Sequence, residues 1–145
     1  MRKINDLGEL LAGLTKLGKA ELIASLVGVV EIPASDILES IDVLTAEKNY
    51  ETAARIAEEA CINTKDKAER KEYALAVIKL GKLNDTDTAL ESAEFVRNAG
   101  FPELALETYE SWGYFDCARA AAEEAGLKDK AELYSRIEKI LEESD

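Results

Sequence analysis

Glycine recurs at a fixed step in the last third of the chain: Gly100, Gly113 and Gly126 stand 13 residues apart. Each is followed by a large apolar residue (Phe101, Tyr114, Leu127). Two positions on comes an acid (Glu103, Asp116, Asp129), and two beyond that an alanine (Ala105, Ala118, Ala131). Each position has a physical reason in a chain of short helices. Glycine takes the left-handed backbone that ends one helix. The apolar residue folds back on the turn just left, as Tyr114 would on Tyr109. The acid falls in the first turn of the next helix, where unpaired N–H groups and the helix dipole favour negative charge. The alanine lets neighbouring helices approach closely. Two steps make a helix pair of 26 residues, so the register predicts stacked antiparallel helical hairpins.

The step from acid to alanine also occurs at Glu51–Ala53, Asp66–Ala68 and Asp87–Ala89, and the run Tyr50–Ala60 echoes Phe115–Ala125. Composition agrees. Of the 145 residues, 47% are hydrophobic and 33% charged, with only 8 glycines and 2 prolines. That balance is globular and favours helix, and the length suits one domain. Helices are predicted at 4–17, 19–32, from Ser35 or Asp36 through Leu44, and then at 48–61, 65–80, 86–99, 102–112, 115–125 and 128–143. Asn5 or Asp6 would cap the first and Gly18 would end it. The second reads as a central buried helix, although Val29–Val30 beside Gly28 also permits a strand. Residues 1–47 lack the repeat and hold no aromatic residue, so they read as an N-terminal helix group before the hairpins of 48–143.

The stretch from Gly100 to Gly126 resembles tetratricopeptide-type α-solenoids, in which antiparallel helix pairs stack into a superhelix. The resemblance covers residues 48–143 and is one of pattern. The 34-residue consensus of that class, with its spaced Trp, Leu-Gly and Tyr, is absent here, and the pairs are shorter. It implies an α-α superhelix or an irregular helical bundle, and a protein-binding role without catalysis.

Charge narrows the partners. The net charge is −12: −3 over residues 1–49, −2 over 50–100 and −7 over 101–145. Such a field repels phosphate, so nucleic acid and anionic membrane are poor partners and a basic protein or peptide is a better one. The most apolar run, Leu22–Ile32, is too short to span a bilayer. Two cysteines outside any CxxC pair read as reduced thiols of a cytoplasmic protein. Abundant Glu and Lys with no glutamine suit a thermophile.

Chemistry is constrained by the complete lack of histidine. Serine and cysteine hydrolases usually need that base, and His-based zinc, haem and di-iron sites cannot form. No nucleophile elbow, P-loop or dinucleotide-binding glycine motif is present, and no cofactor is expected. Apolar residues 22–32 followed by Ser35-Asp36 have the order of a helix-turn-helix, but acidic flanks and Pro33 argue against DNA. Carboxylates are the one ligand type in surplus. Glu91 with Glu94, and Glu107 with Glu110, each place two acids on one helical face. The pairs resemble the magnesium site of all-α nucleotide pyrophosphatases, which makes a Mg²⁺-dependent nucleotide hydrolase the catalytic alternative. The bland reading is a solvated acidic face.

Four of the nine aromatic residues fall within seven positions: Tyr109, Trp112, Tyr114 and Phe115. Aromatics at a helix corner are usually core, yet Trp and Tyr are also the residues that anchor interfaces. Set in the −7 segment, this cluster is the expected partner-binding surface, suited to a basic and partly apolar peptide. A homo-oligomer burying the same patch is the other alternative.

Overall fold

The structure is a computed structural model that describes residues 7–144, and within them it is helical with no strand. The order is α1 Leu7–Leu11, α2 Lys16–Leu26, α3 Ala34–Ala46, α4 Tyr50–Asn63, α5 Lys67–Lys82, α6 Thr86–Asn98, α7 Pro102–Ser111, α8 Phe115–Glu124 and α9 Lys128–Ser144. From α2 onward every helix packs against the next in the chain, and α2–α4, α3–α5 and α5–α7 also touch. The predicted all-α stack of helical hairpins is therefore the observed fold. Among the described residues no helix is long and apolar enough to cross a membrane.

Turn chemistry sets this order. Gly100, Gly113 and Gly126 all have positive φ, at 102°, 75° and 74°. In each case the glycine N–H donates to the carbonyl three residues back. The next N–H donates to the carbonyl five back: Phe101 to Val96 at 3.1 Å, Tyr114 to Tyr109 at 2.9 Å, Leu127 to Ala122 at 2.8 Å. This is the paired-bond closure of the Schellman motif, which satisfies the orphan carbonyls of the helix end and turns the chain. The same closure occurs at Lys48, with φ 62° and Asn49 N–H donating to Leu44 O at 2.9 Å. Lys48 stands 52 residues before Gly100, four steps of the register, with lysine in the place that glycine takes later. The longer helices α4 and α5 interrupt the step between them.

Start signals are equally local. Thr15, Asn49, Asp66 and Asp85 each accept a backbone N–H from the third residue beyond, at Gly18, Thr52, Glu69 and Thr88. The backbone bond to Thr88 holds the Asp85 carboxyl below its ordinary range.

The N-terminal expectations need correction. Asn5 and Asp6 lie outside the described residues. Gly18 does not end the first helix, because it sits inside α2 and binds the Thr15 cap. Gly13, with φ 82°, marks the earlier turn. The second helix stops at Leu26, short of the expected 32. Gly28 at φ 81° turns the chain, Val27 and Val30 form one isolated bridge, and Val29 is exposed. A run of β-branched residues was compatible with helix or strand, and the glycine within it gave a turn.

One continuous core runs from α2 to α9, with α1 joined to α2 through Leu7, Leu11 and Ile23. Its bulky members include Ile23, Leu44, Ile56, Tyr73, Val77 and Val96. Between them lie fully buried alanines such as Ala53, Ala57, Ala74, Ala93, Ala105, Ala118 and Ala121, which bring the helices close. Of the repeat's apolar residues only Phe101 is buried; Tyr114 and Leu127 are exposed. Arg70 ties α5 to the end of α6: its guanidinium donates to Ala99 O at 2.7 Å and lies 5.6 Å from the Phe101 ring centre. A positive side chain there meets the negative end of the α6 dipole.

Two substitutions test the packing and the turns. A Cβ on Gly81 would stand 2.6 Å from Ser92 Oγ, 2.8 Å from Ser92 Cβ and 3.2 Å from Ala89 Cα. Gly81→Ala is expected to lose about 1–3 kcal/mol by overpacking, despite alanine's better helix propensity. Lys48→Gly is expected to gain about 1 kcal/mol by removing left-handed strain. Urea unfolding followed by circular dichroism measures both.

Candidate functional site

The aromatic corner forms where α7 passes to α8. Trp112 closes α7, its N–H donating to Thr108 O at 3.3 Å. Gly113 reverses the chain, Tyr114 stands at the N-cap of α8, and Phe115 opens that helix. The Tyr114 N–H is spent on the turn, and its side chain makes no capping bond.

The four aromatic residues divide into two pairs. Tyr109, on the inner face of α7, is 4% exposed and belongs to the core. Burial pushes its phenol up, opposed by the Arg97 guanidinium beside it. Phe115 is half-buried against the Tyr134 ring of α9, with centroids 6.3 Å apart and planes at 30°. The Tyr134 hydroxyl donates to a Glu110 carboxylate oxygen, which ties α9 to the end of α7. Trp112 and Tyr114 face outward, 48% and 44% exposed. Tyr109 and Phe115 thus lie on helix faces turned inward and Trp112 and Tyr114 on the turn between the helices, a division that closeness in sequence does not reveal.

Beside this corner lies a shallow groove of about 220 Å³ lined by Gly113, Phe115 and Asp116 from one side and Glu138, Leu141 and Glu142 of α9 from the other. Leu141 is half exposed. Arg119 Nε stands 2.9 Å from Glu138 Oε1, an ion pair at an angle that makes no hydrogen bond. Asp116 and Glu142 form no ion pair among the described residues. The exposed surface here is aromatic and aliphatic, with carboxylates at its edge.

Arg97 and Glu124 brace the scaffold behind the corner. Arg97 Nε and one terminal nitrogen donate to both carboxylate oxygens of Glu124 at 2.8–3.0 Å, joining the ends of α6 and α8. The pairing holds Glu124 below its ordinary value of 4.5. A lowered carboxyl adds stability that is present above 4.5 and is lost as pH falls through the lowered value. Because the pair is partly exposed, no more than about 1 kcal/mol is at stake.

The four glutamates of the magnesium alternative are exposed and differently engaged. Glu107 pairs with Lys82 at 2.9 Å, Glu110 accepts the Tyr134 hydroxyl, and Glu91 borders a groove with Glu58. Among the described residues no three acids or cysteines gather as a metal site. Cys61 is buried and Cys117 half-buried, and burial pushes both thiols up, away from the reactive thiolate.

Two features were not singled out from the sequence. A cleft of about 400 Å³ lies between the 27–32 turn and the α4–α5 junction, with Tyr73 in its wall. Its burial, with Glu69 and Glu72 nearby, pushes the Tyr73 phenol up to about 12. The cleft joins residues 23 to 46 positions apart in the chain, so no local pattern marks it. The second is the outer side of α9, where Leu133, Ile140 and Leu141 are exposed. Its apolar spacing was readable in the sequence. Compared with protein families, characterised proteins and solved structures, the chain matches none.

The pH dependence of the brace can be isolated with Arg97→Ala. Unfolding free energy of the native chain is expected to fall as pH drops below 4.5, and the variant is expected to fall less steeply there. Parallel slopes for the two proteins in chemical unfolding across that range would show that the pair contributes nothing.

Proposed function

We propose that this chain is a non-catalytic interaction module that binds a basic, partly apolar peptide segment at the α7–α8 corner. The single observation that carries the reading is the outward placement of Trp112 and Tyr114, 48% and 44% exposed, within a segment of net charge −7. Large amphipathic rings left in water at a rigid turn are the residues that give most binding energy when covered. The buried Tyr109 and the Phe115–Tyr134 contact support the corner from behind, so little ordering is needed on binding. Asp116 and Glu142 supply charge for lysine or arginine at the edge and would speed encounter. The stacked-hairpin scaffold agrees with this role, and the lack of histidine removes the commonest route to catalysis.

Trp112 is the single tryptophan, so its fluorescence reports directly on the corner. Titration with short peptides combining lysine or arginine with leucine is expected to shift and quench its emission, while acidic peptides of the same length leave it unchanged. By calorimetry, Trp112→Ala with Tyr114→Ala is expected to weaken binding by tenfold or more, the scale of about 2 kcal/mol for a hot-spot truncation. An equal response to basic and acidic peptides, or none to either, would overturn the proposal.

A further inference from the structure

Helix α9 packs against α8 and uses only part of its surface for that contact. Tyr134 is buried, and Ala131 and Ile137 pack partly against the core with it. Leu133 and Ile140 remain 45% and 61% exposed. Leu133, Ile137, Ile140 and Ser144 follow one another at intervals of four, three and four residues, which lays them along one helical face. That face therefore carries an aliphatic seam about 10 Å long from Leu133 to Ile140 at 1.5 Å per residue, with Ile137 half-buried between them. Single exposed leucines are ordinary, but a seam in successive turns is not.

We propose that this seam is a self-association surface, on which α9 of a second copy lies antiparallel. The charges along the helix favour that partner and that direction. Residues 128–136 carry Lys128, Lys130 and Arg136 against Asp129 and Glu132, a net +1. Residues 137–144 carry Lys139 against Glu142 and Glu143, a net −1, with Glu138 already paired to Arg119. An antiparallel pair sets the basic half of each helix against the acidic half of the other and opposes the two helix dipoles. A parallel pair sets acid on acid. Each chain bears −12 overall, but charges more than about 8 Å apart are largely screened at physiological ionic strength, so the pattern at the seam decides. The surface is built of other residues than Trp112 and Tyr114.

Sedimentation of the intact chain from micromolar to submillimolar concentration tests the proposal. The mass is expected to move from one chain towards two, and Leu133→Glu or Ile140→Glu to hold it at one with the helical circular dichroism unchanged. Leu133→Ser and Ile140→Ser serve if a glutamate variant loses helix. A single-chain mass for the native protein throughout, or an unchanged dimer in folded seam variants, overturns it. Direction is read with Lys130→Cys and Ser144→Cys chains in a Cys117→Ser background, joined by a short bis-maleimide. Cross-linking only in the mixture supports the antiparallel pair, and cross-linking of either chain alone refutes it. Retained Trp112 response to basic peptides in the seam variants separates this result from the fate of the corner.

Discussion

A left-handed residue at the end of a helix leaves its last carbonyls facing two N–H groups of the following loop. In this chain that closure occurs at Lys48, Gly100, Gly113 and Gly126. It satisfies polar groups that would otherwise be unpaired where the chain enters the next packed helix. It also fixes the exit direction, so that each helix returns along its predecessor. Antiparallel neighbours with alanine-rich faces then follow, and the core grows along the stack one helix at a time.

That mode of growth explains where polar ties are needed. Packing joins sequential helices, and polar links add to it both between neighbours and across one intervening helix. Arg70 reaches the end of α6, Arg97 joins α6 to α8, and Tyr134 reaches Glu110 from α9. Each link spans 24 to 29 residues, roughly one hairpin. Each ends on a helix terminus or on an exposed carboxylate, where a charged partner can be satisfied without a deeply buried ion.

The same architecture accounts for the exposed aromatic corner. A turn between two packed helices is convex, so consecutive residues there cannot all face inward. Tyr109 and Phe115 fall on helical faces that meet the core, and Trp112 and Tyr114 fall on the turn itself. The expectation that Tyr114 would fold back on Tyr109 holds for its backbone N–H, while its side chain is 44% exposed. The acid pairs of α6 and α7 show the complementary point. Spacing put both members of a pair on one face, yet among the described residues no three acids gather as a cation site.

Sequence alone determined the helical class, the positions of α3 to α9 within a few residues, and the glycine turns that order them. These depend on neighbours within five residues, through capping bonds, glycine φ and helical spacing. It did not reveal that Gly18 lies inside a helix or that Gly28 cuts the apolar run short, because several glycines in one segment are equivalent until packing selects among them. Tertiary structure decided which aromatic residues point outward, which acids are already paired, and that α9 keeps an aliphatic seam in water. Those outcomes turn on the rotation of each helix about its axis against a partner tens of residues away, and local spacing does not encode that angle.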